Sequence, residues 1–180
     1  MELLNGAVDE SRPSPGRPEL AESELVRRAQ LGSSAAFEQL IVLRGPHLSR
    51  YLAVRLRERY ALDAFQETVA AAWHGLPNLK DPSKFWPWLV GIAAHKAADA
   101  AREQGRAVER ELEPTARADE SMLEVREALE ALPEPFRQIL LLRYYLDLSE
   151  EEVAEALHVR VGTVKSRSAR ARRALLELLR

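Results

Sequence analysis

Apolar residues recur every three or four positions along most of this chain, and no segment alternates apolar with polar residues as a half-buried strand does. Leu25, Val26 and Ala29 show this spacing near the start, and Leu129 and Leu132 show it again later. Because a helix has about 3.6 residues per turn, this period places the apolar side chains on one face. The sequence therefore predicts an all-α fold.

Two gaps in the periodicity divide the chain. Residues 1–21 are rich in proline and glycine and poor in large apolar residues, which predicts a disordered arm. Residues 105–121 are dominated by charge and interrupted by Pro114, a composition typical of a flexible linker. We therefore expect two small helical domains, at residues 22–104 and 122–180, joined by a flexible charged linker.

Breaks inside the first domain predict where its helices begin and end. Gly32–Ser34 interrupts the period, and Ser34 is a candidate N-cap for the next helix. Gly45–Pro46 predicts a bend, because proline lacks the amide hydrogen that a helix interior uses. Later helices are then expected over about 47–59, 63–74 and 84–104.

The residue inventory excludes several function classes. The chain has no cysteine, which rules out a disulfide framework, an iron–sulfur cluster, a thiolate zinc site and a cysteine nucleophile. There is no glycine-rich phosphate loop, and the histidines are scattered without metal-ligand spacing, at His47, His74, His95 and His158. We therefore expect no enzymatic activity, no bound metal and no cofactor.

The chain also lacks the segments that target or anchor a protein to membranes. No stretch of about 18 apolar residues is present, so no transmembrane helix is expected. The first residues have neither the basic nor the apolar segment of a signal peptide. Together with the absence of cysteine, these features predict a cytoplasmic protein without membrane insertion.

The clearest charge pattern lies near the C-terminus, although the net charge of the whole chain is only −2. No acidic residue lies between Glu155 and Glu177. The basic residues of this interval are Arg160, Lys165, Arg167, Arg170, Arg172 and Arg173. A basic stripe on one element is typical of a nucleic-acid contact surface, and the alternative is a solvated helix face.

The residues on either side of Glu155 predict two helices joined by a tight turn. Ser149 is a favourable N-cap, and Glu152, three residues later, completes a capping box. The run from His158 to Gly162 forms a break, and Thr163 either caps the final helix or lies in its first turn.

The final helix is predicted to be amphipathic. Its inward positions are Val164, Ala171, Leu175 and Leu178, and its outward positions are Lys165, Ser166, Ala169, Arg170 and Arg173. Two short helices of which the second is basic predict a helix-turn-helix that places the second helix in the major groove of DNA. The alternative is an ordinary helical hairpin whose arginines are solvated.

Two sets of residues, one in each domain, form extended motifs. The C-terminal set includes Leu148-Ser149-Glu150-Glu151-Glu152-Val153-Ala154-Glu155 and Val161-Gly162-Thr163-Val164-Lys165-Ser166-Arg167. The N-terminal set includes Asp63-Ala64-Phe65-Gln66-Glu67-Thr68 and Phe85-Trp86-Pro87-Trp88-Leu89. The first set resembles region 4 of bacterial sigma factors of the sigma-70 family, and the second resembles region 2. The similarity is closest to the extracytoplasmic-function (ECF) group.

The resemblance implies a transcription initiation factor that binds core RNA polymerase and directs it to promoter DNA through the −10 and −35 elements. It further implies an anti-sigma factor as a partner. The helix from Asp63 to Trp73 is similar to the one that docks on the polymerase clamp helices, with Asp63, Gln66 and Glu67 at its polar positions. For Trp73 itself, core packing is the favoured interpretation.

The resemblance also assigns residues to the two promoter elements. Positions matching or neighbouring the −35 contacts are Arg160, Thr163, Lys165, Ser166, Arg167, Ala169, Arg170, Arg172 and Arg173. For the −10 element, the candidates are Lys80, Lys84 and Lys96 toward the backbone, Trp86 as a stacking surface, and His95 toward a base or phosphate. Trp88 is expected to pack in the core.

The chain departs from the family at several of these places. The usual run Tyr-Arg-Ile-Ala-Arg-Asn is replaced by Val90-Gly91-Ile92-Ala93-Ala94-His95, which lacks two arginines and an asparagine. His158 stands where glycine is common in the turn, and His tolerates the left-handed conformation better than branched residues do. The −10 preference of this chain is therefore expected to differ from that of its relatives.

Two other functions stay open at this point. A stand-alone helix-turn-helix regulator would bind operators as a dimer, but the sequence shows no dimerisation or sensor domain. A sigma-like mimic would sequester an anti-sigma factor without touching promoters. The missing arginines near Ala94 and the acidic N-terminal arm support the mimic, and the intact basic stripe after Glu155 argues against it.

Overall fold

A computed structural model of the chain describes residues 18–107 and 120–179, and every regular element in these two ranges is helical. The helices are α1 (Pro18–Gln30), α2 (Ser34–Arg55), α3 (Glu58–Gly75), α4 (Phe85–Ala107), α5 (Glu120–Ala131), α6 (Glu134–Leu140), α7 (Glu150–Ala156) and α8 (Val161–Leu178). Short 3-10 turns span Leu76–Asn78 and Pro82–Lys84, and a π turn at Leu141–Tyr145 continues α6. The all-α prediction is confirmed.

The ends of the predicted arm and linker are helical. Helix α1 begins at Pro18, inside the predicted arm, and α4 continues to Ala107, inside the predicted linker. Helix α5 begins at Glu120. The rest of both segments lies outside the described residues.

Helices α1 to α4 form an N-terminal bundle around large, fully buried side chains. Leu40, Leu48, Tyr51 and Leu52 of α2 are completely buried, and so is Leu89 of α4. These α2 positions follow the helical period, so one face of the helix packs against the other three helices. Trp73 and Trp88 lie half-buried against this core, as predicted, with Trp73 5.0 Å from the ring of Phe37.

No new helix begins at His47 after Gly45–Pro46, so the prediction of a separate helix over 47–59 is wrong. Helix α2 runs through Pro46, which is exposed, while Leu40 and Leu48 on either side are completely buried. An interior proline costs roughly 3 kcal/mol, and burying two leucines stabilises the helix by a comparable amount. The N-cap is Ser33 rather than Ser34, because the Ser33 hydroxyl accepts a hydrogen bond from the Ala36 amide at 3.3 Å.

Helices α5 to α8 form a C-terminal bundle. Its buried side chains include Ile139 and Leu142 before α7, Val153 in α7, and Val164 and Ala171 in α8. Helix α7 is shorter than two turns, and an isolated helix of that length is not stable in water. It therefore depends on packing against its neighbours.

The two bundles are in direct contact. Helix α7 packs against α4, and one continuous cluster of buried apolar residues runs from the N-terminal bundle into α7 and α8. Arg55, at the end of α2, forms an ion pair with Glu134 of α6, and its side chain is only 2% exposed. Arg55 also donates a 2.6 Å hydrogen bond to the Tyr51 hydroxyl, whose pKa is raised by burial and lowered in part by Arg55.

The helices in the described ranges have too little continuous apolar length to cross a bilayer.

Replacing Leu89 by alanine is expected to lower the free energy of unfolding by about 2–5 kcal/mol, because the truncation leaves a cavity in the N-terminal core. Leu62→Ala, at a residue that is 57% exposed, is the matched control and should change stability by less than about 0.5 kcal/mol. Urea denaturation followed by circular dichroism measures both. Equal effects at the two sites would contradict this assignment of the core.

Candidate nucleic-acid interface

The first helix of the predicted helix-turn-helix is α7, and its capping box is present. The Ser149 hydroxyl accepts a hydrogen bond from the Glu152 amide at 3.1 Å, and the Glu152 carboxylate accepts one from the Ser149 amide at 2.7 Å. This reciprocal pair satisfies two backbone donors that the first turn leaves free. The prediction made from Ser149 and Glu152 is therefore confirmed.

The turn between α7 and α8 depends on a left-handed residue. His158 has a φ of 52°, in the place where the resemblance predicted glycine to be common. Helix α8 then begins at Val161, with Arg160 at its N-cap position. Thr163 is a first-turn residue rather than the cap, because its amide already donates a 2.8 Å hydrogen bond to the Arg160 carbonyl.

Helix α8 has one buried and one exposed face, as its periodicity predicts. Val164 and Ala171 are completely buried, and Leu175 is half-buried. The predicted outward residues are all exposed, namely Lys165, Ser166, Ala169, Arg170 and Arg173. Leu178 was predicted to face inward but is 48% exposed, because the end of α8 extends past the small cluster formed by Leu132, Leu140 and Ala171.

The remaining basic residues of α8 border the same face. Arg160 and Arg172 are exposed, and Thr163 and Arg167 are half-buried. The structure therefore brings every residue predicted for the −35 contact onto one helix and its N-terminal edge. An α-helix with such a face fits the major groove, where arginine and lysine reach base edges and phosphates.

Local contacts orient several of these side chains. The Arg170 guanidinium lies 5.8 Å from the centre of the Phe136 ring, and its Nε donates to the Ser166 carbonyl at 3.3 Å. The Ser166 hydroxyl donates to the Thr163 carbonyl at 3.1 Å, and Lys165 lies 3.7 Å from the Glu150 carboxylate. These interactions are weak and exposed, so a phosphate or a base can replace them.

The residues predicted for the −10 element lie on the N-terminal bundle, but not as one patch. Lys80 is exposed in the loop before α4, and His95 is exposed on α4. Lys96 of α4 forms a 2.8 Å ion pair with Glu67 of α3. Lys84 forms a 3.1 Å ion pair with Glu155 of α7, whose hydrogen bond and charge raise the pKa of Lys84.

Trp86 lies half-buried beside two residues that sequence analysis did not single out. The Arg44 guanidinium is 5.0 Å from the centre of its ring, and His47 meets it edge-on at 6.4 Å. Arg44 is itself held by an ion pair with Glu22 of α1. No signal in the sequence connects residues of α1, α2 and α4 in this way, so only the packed helices reveal the cluster.

The residues predicted for polymerase contact are exposed together on α3. Asp63, Gln66 and Glu67 line a groove of about 410 Å³ between α3 and α4. The adjacent Leu62, which was not predicted from the sequence to belong to this site, is an exposed apolar side chain, 57% accessible. Because α3 and α4 pack side by side, Glu67 meets Lys96, although the two residues were predicted to serve different partners.

His158 has a left-handed backbone conformation that glycine adopts with less strain. We expect His158→Gly to raise the free energy of unfolding by about 0.5–1 kcal/mol, because glycine adopts the left-handed conformation without a Cβ clash. His158→Val should lower it by about 1 kcal/mol, because β-branched residues fit this conformation poorly. Thermal unfolding of the three chains measures the order, and a His158→Gly chain less stable than the original would contradict the assigned turn.

Comparison with known proteins agrees with the two bundles. Residues 43–107 match the family model for Sigma-70 region 2, and residues 122–175 match the one for Sigma-70, region 4. The RNA polymerase sigma-H factor of Pseudomonas aeruginosa is 33% identical over 177 residues, covering 86% of this chain and 91% of the relative. The ECF RNA polymerase sigma-E factor of Escherichia coli (strain K12) is 31% identical over 178 residues, covering 87% and 93%.

Solved structures give the same result. CnrH, in complex with the cytosolic domain of CnrY, has a TM-score of 0.73 at 29% identity, covering 88% of this chain and 97% of CnrH. The sigma factor RpoE of Bartonella quintana, in complex with the anti-sigma factor NepR, has a TM-score of 0.66 at 26% identity, covering 79% and 96%. The chain therefore belongs to the sigma-70 family, within the ECF group of RNA polymerase sigma factors.

Proposed function

We propose that this chain binds core RNA polymerase through α3 and directs it to promoters whose −35 element is read by α8 and whose −10 element is read at α4. The observation that carries the proposal is the exposed, acid-free face of α8 behind the capped helix α7. An ordinary helical hairpin does not need such a face. We place this activity in the cytoplasm, with residues 22–104 and 122–180 as the two functional domains.

The −35 contact divides between bases and backbone. The base contacts are assigned to four exposed residues of α8, namely Lys165, Ser166, Ala169 and Arg170, and the small side chain of Ala169 suits an apolar contact such as a thymine methyl. The backbone contacts are assigned to residues that flank this line, namely Arg160, Thr163, Arg167, Arg172 and Arg173. Charge on both sides of the helix fits the phosphates of both groove walls.

The −10 contact is assigned to single-stranded DNA. An unstacked base needs an aromatic surface, and Trp86 is half-exposed beside Arg44. Lys80, Lys84 and Lys96 supply positive charge for the backbone, and His95 supplies a donor on the exposed side of α4. The family's two arginines are absent at Gly91 and Ala94, so the backbone contact here depends more on the lysines.

Polymerase binding is assigned to Asp63, Gln66 and Glu67. Their exposed polar edge, next to Leu62, offers carboxylates to basic groups and an apolar anchor to a partner helix. An anti-sigma factor is a further proposed partner, because RpoE of Bartonella quintana and this chain have similar folds and RpoE was solved with one.

A sigma-like mimic is the second candidate, because the −10 surface lacks the family's arginines and two of its lysines are paired with glutamates. Run-off transcription with purified core polymerase on a genomic promoter pool separates the two functions. New start sites that share −35 and −10 elements would support the initiation factor. No new transcripts despite binding of core polymerase or an anti-sigma factor would support the mimic.

Arg170→Ala is expected to lower transcription from a −35-dependent promoter about tenfold, since one base contact contributes roughly 1–3 kcal/mol. Binding to core polymerase should not change. Arg28→Ala, which removes an exposed arginine of α1, is the matched control. Loss of polymerase binding in Arg170→Ala would show that the residue is structural instead.

Asp63→Arg is expected to weaken binding to core polymerase by about tenfold or more, because it reverses a charge at the proposed interface. Glu38→Arg makes the same change on an exposed face of α2 and should have little effect. Fluorescence anisotropy of the labelled chain with core polymerase gives both affinities. Equal losses in the two variants would argue against a specific role of Asp63.

The free chain should bind duplex promoter DNA poorly, because each domain alone makes a small interface and polymerase is needed to fix their spacing. Gel-shift titration at physiological salt measures this. Tight, sequence-specific binding without polymerase would instead favour the stand-alone regulator, which a dimer in gel filtration would also support.

A further inference from the structure

We propose that the face of α4 around Gly91 is a docking surface for helix α7 of the same chain, and that α7 competes there with single-stranded promoter DNA. The docking is a property of the chain itself. The competition rests on the proposed function, because it assumes that α4 binds the −10 element.

The contact between α4 and α7 requires a glycine. A Cβ atom added to Gly91 would lie 2.8 Å from the Ala156 carbonyl oxygen and 3.4 Å from the Ala156 Cα. Both neighbouring atoms belong to the backbone of α7, so no side chain can move aside to make room. Ala156 is 5% exposed in this contact, and Ala94, one turn after Gly91, is 3% exposed.

Gly91 therefore accounts both for the absence of one family arginine and for the docking of α7. In the family run, arginine occupies the position of Gly91 and a second arginine occupies that of Ala94. An arginine at position 91 would prevent α7 from reaching α4 at the observed distance. The glycine that removes a basic side chain from the −10 surface is therefore also the residue that lets α7 dock.

The carboxylates of α7 lie against the basic edge of the −10 surface. Glu155 is paired with Lys84 at 3.1 Å, where a DNA phosphate would otherwise bind. A cleft of about 440 Å³ between the helices is lined by His95 and Lys96 on one side and by Glu155 and His158 on the other. A nucleotide strand and α7 therefore both need Lys84, and a strand in this cleft would lie against the Glu155 carboxylate.

A second contact holds the bundles together away from the −10 surface. Arg55 of α2 is almost completely buried and pairs with Glu134 of α6, which also accepts a 3.0 Å hydrogen bond from Arg137 Nε. A buried arginine requires its partner, because an unpaired charge in the interior is strongly destabilising. The docked arrangement is thus specified by both packing and charge.

The docked arrangement also cannot reach both promoter elements at once. The −10 and −35 elements are separated by about 25 base pairs, which is roughly 85 Å of duplex at 3.4 Å per base pair. A compact chain of this length has a radius of gyration of only about 16 Å. The bundles must therefore separate before both elements are bound.

The absence of native cysteine allows a direct test by fluorescence transfer. Donor and acceptor dyes on Glu38→Cys and Glu177→Cys, two exposed positions in different bundles, report their separation in the full chain. Gly91→Leu adds bulk at the contact, Glu155→Gln removes the ion pair with Lys84, and Ala53→Leu on an exposed face of α2 is the matched control. Circular dichroism establishes that each variant is folded.

We expect the transfer efficiency to be lower in Gly91→Leu and Glu155→Gln than in the parent chain. In the control Ala53→Leu it should equal that of the parent chain. Anisotropy with a fluorescein-labelled single-stranded oligonucleotide of mixed sequence should show tighter binding in the same two variants. The gain is about tenfold if roughly a tenth of the parent molecules are undocked.

Unchanged transfer efficiency in both variants would overturn the docking. Lower efficiency without a gain in single-strand affinity would overturn the competition. If Gly91→Leu does not fold, Gly91→Ala takes its place, because the added Cβ alone would lie 2.8 Å from the Ala156 carbonyl oxygen. A failure of the proposed function is distinguishable, because it appears as the absence of run-off transcripts from the parent chain whatever the transfer efficiency.

Discussion

Helix α7 is the element on which the arrangement of the molecule depends. It is too short to be stable alone, and it is held by the burial of Val153 and Ala154 within the C-terminal bundle and of Ala156 against α4. Through the turn at His158 it fixes the direction of α8, and with it the basic face. The same seven residues therefore position the proposed −35 contact and set the relation between the two bundles.

The two proposed DNA surfaces differ in how their charges are placed. On α8, basic residues are exposed and weakly paired, so they are available to a duplex. On the N-terminal bundle, Lys84 and Lys96 each face a glutamate and Arg44 is shared between Glu22 and Trp86. A DNA strand that binds there must first displace carboxylates. This displacement adds an energetic cost to opening of the promoter duplex when polymerase is absent.

Much of this was predictable from sequence, because helices and caps depend on neighbouring residues. The period of α8 and the capping box of Ser149 and Glu152 follow from local spacing alone, and both predictions were confirmed. Pro46 was misleading, because its local effect is outweighed by burial against distant helices. The Arg55–Glu134 pair joins residues 79 positions apart, and no local pattern predicts it.

Gly91 also has an evolutionary consequence. Every glycine codon is a single base change from an arginine codon, so the family's residue can arise at this position in one mutational step. In this structure that step would place a long cation against the backbone of Ala156. It would release α7 and restore a DNA-binding charge together. A chain that carries Gly91 can therefore lose its self-docked form through a single base change.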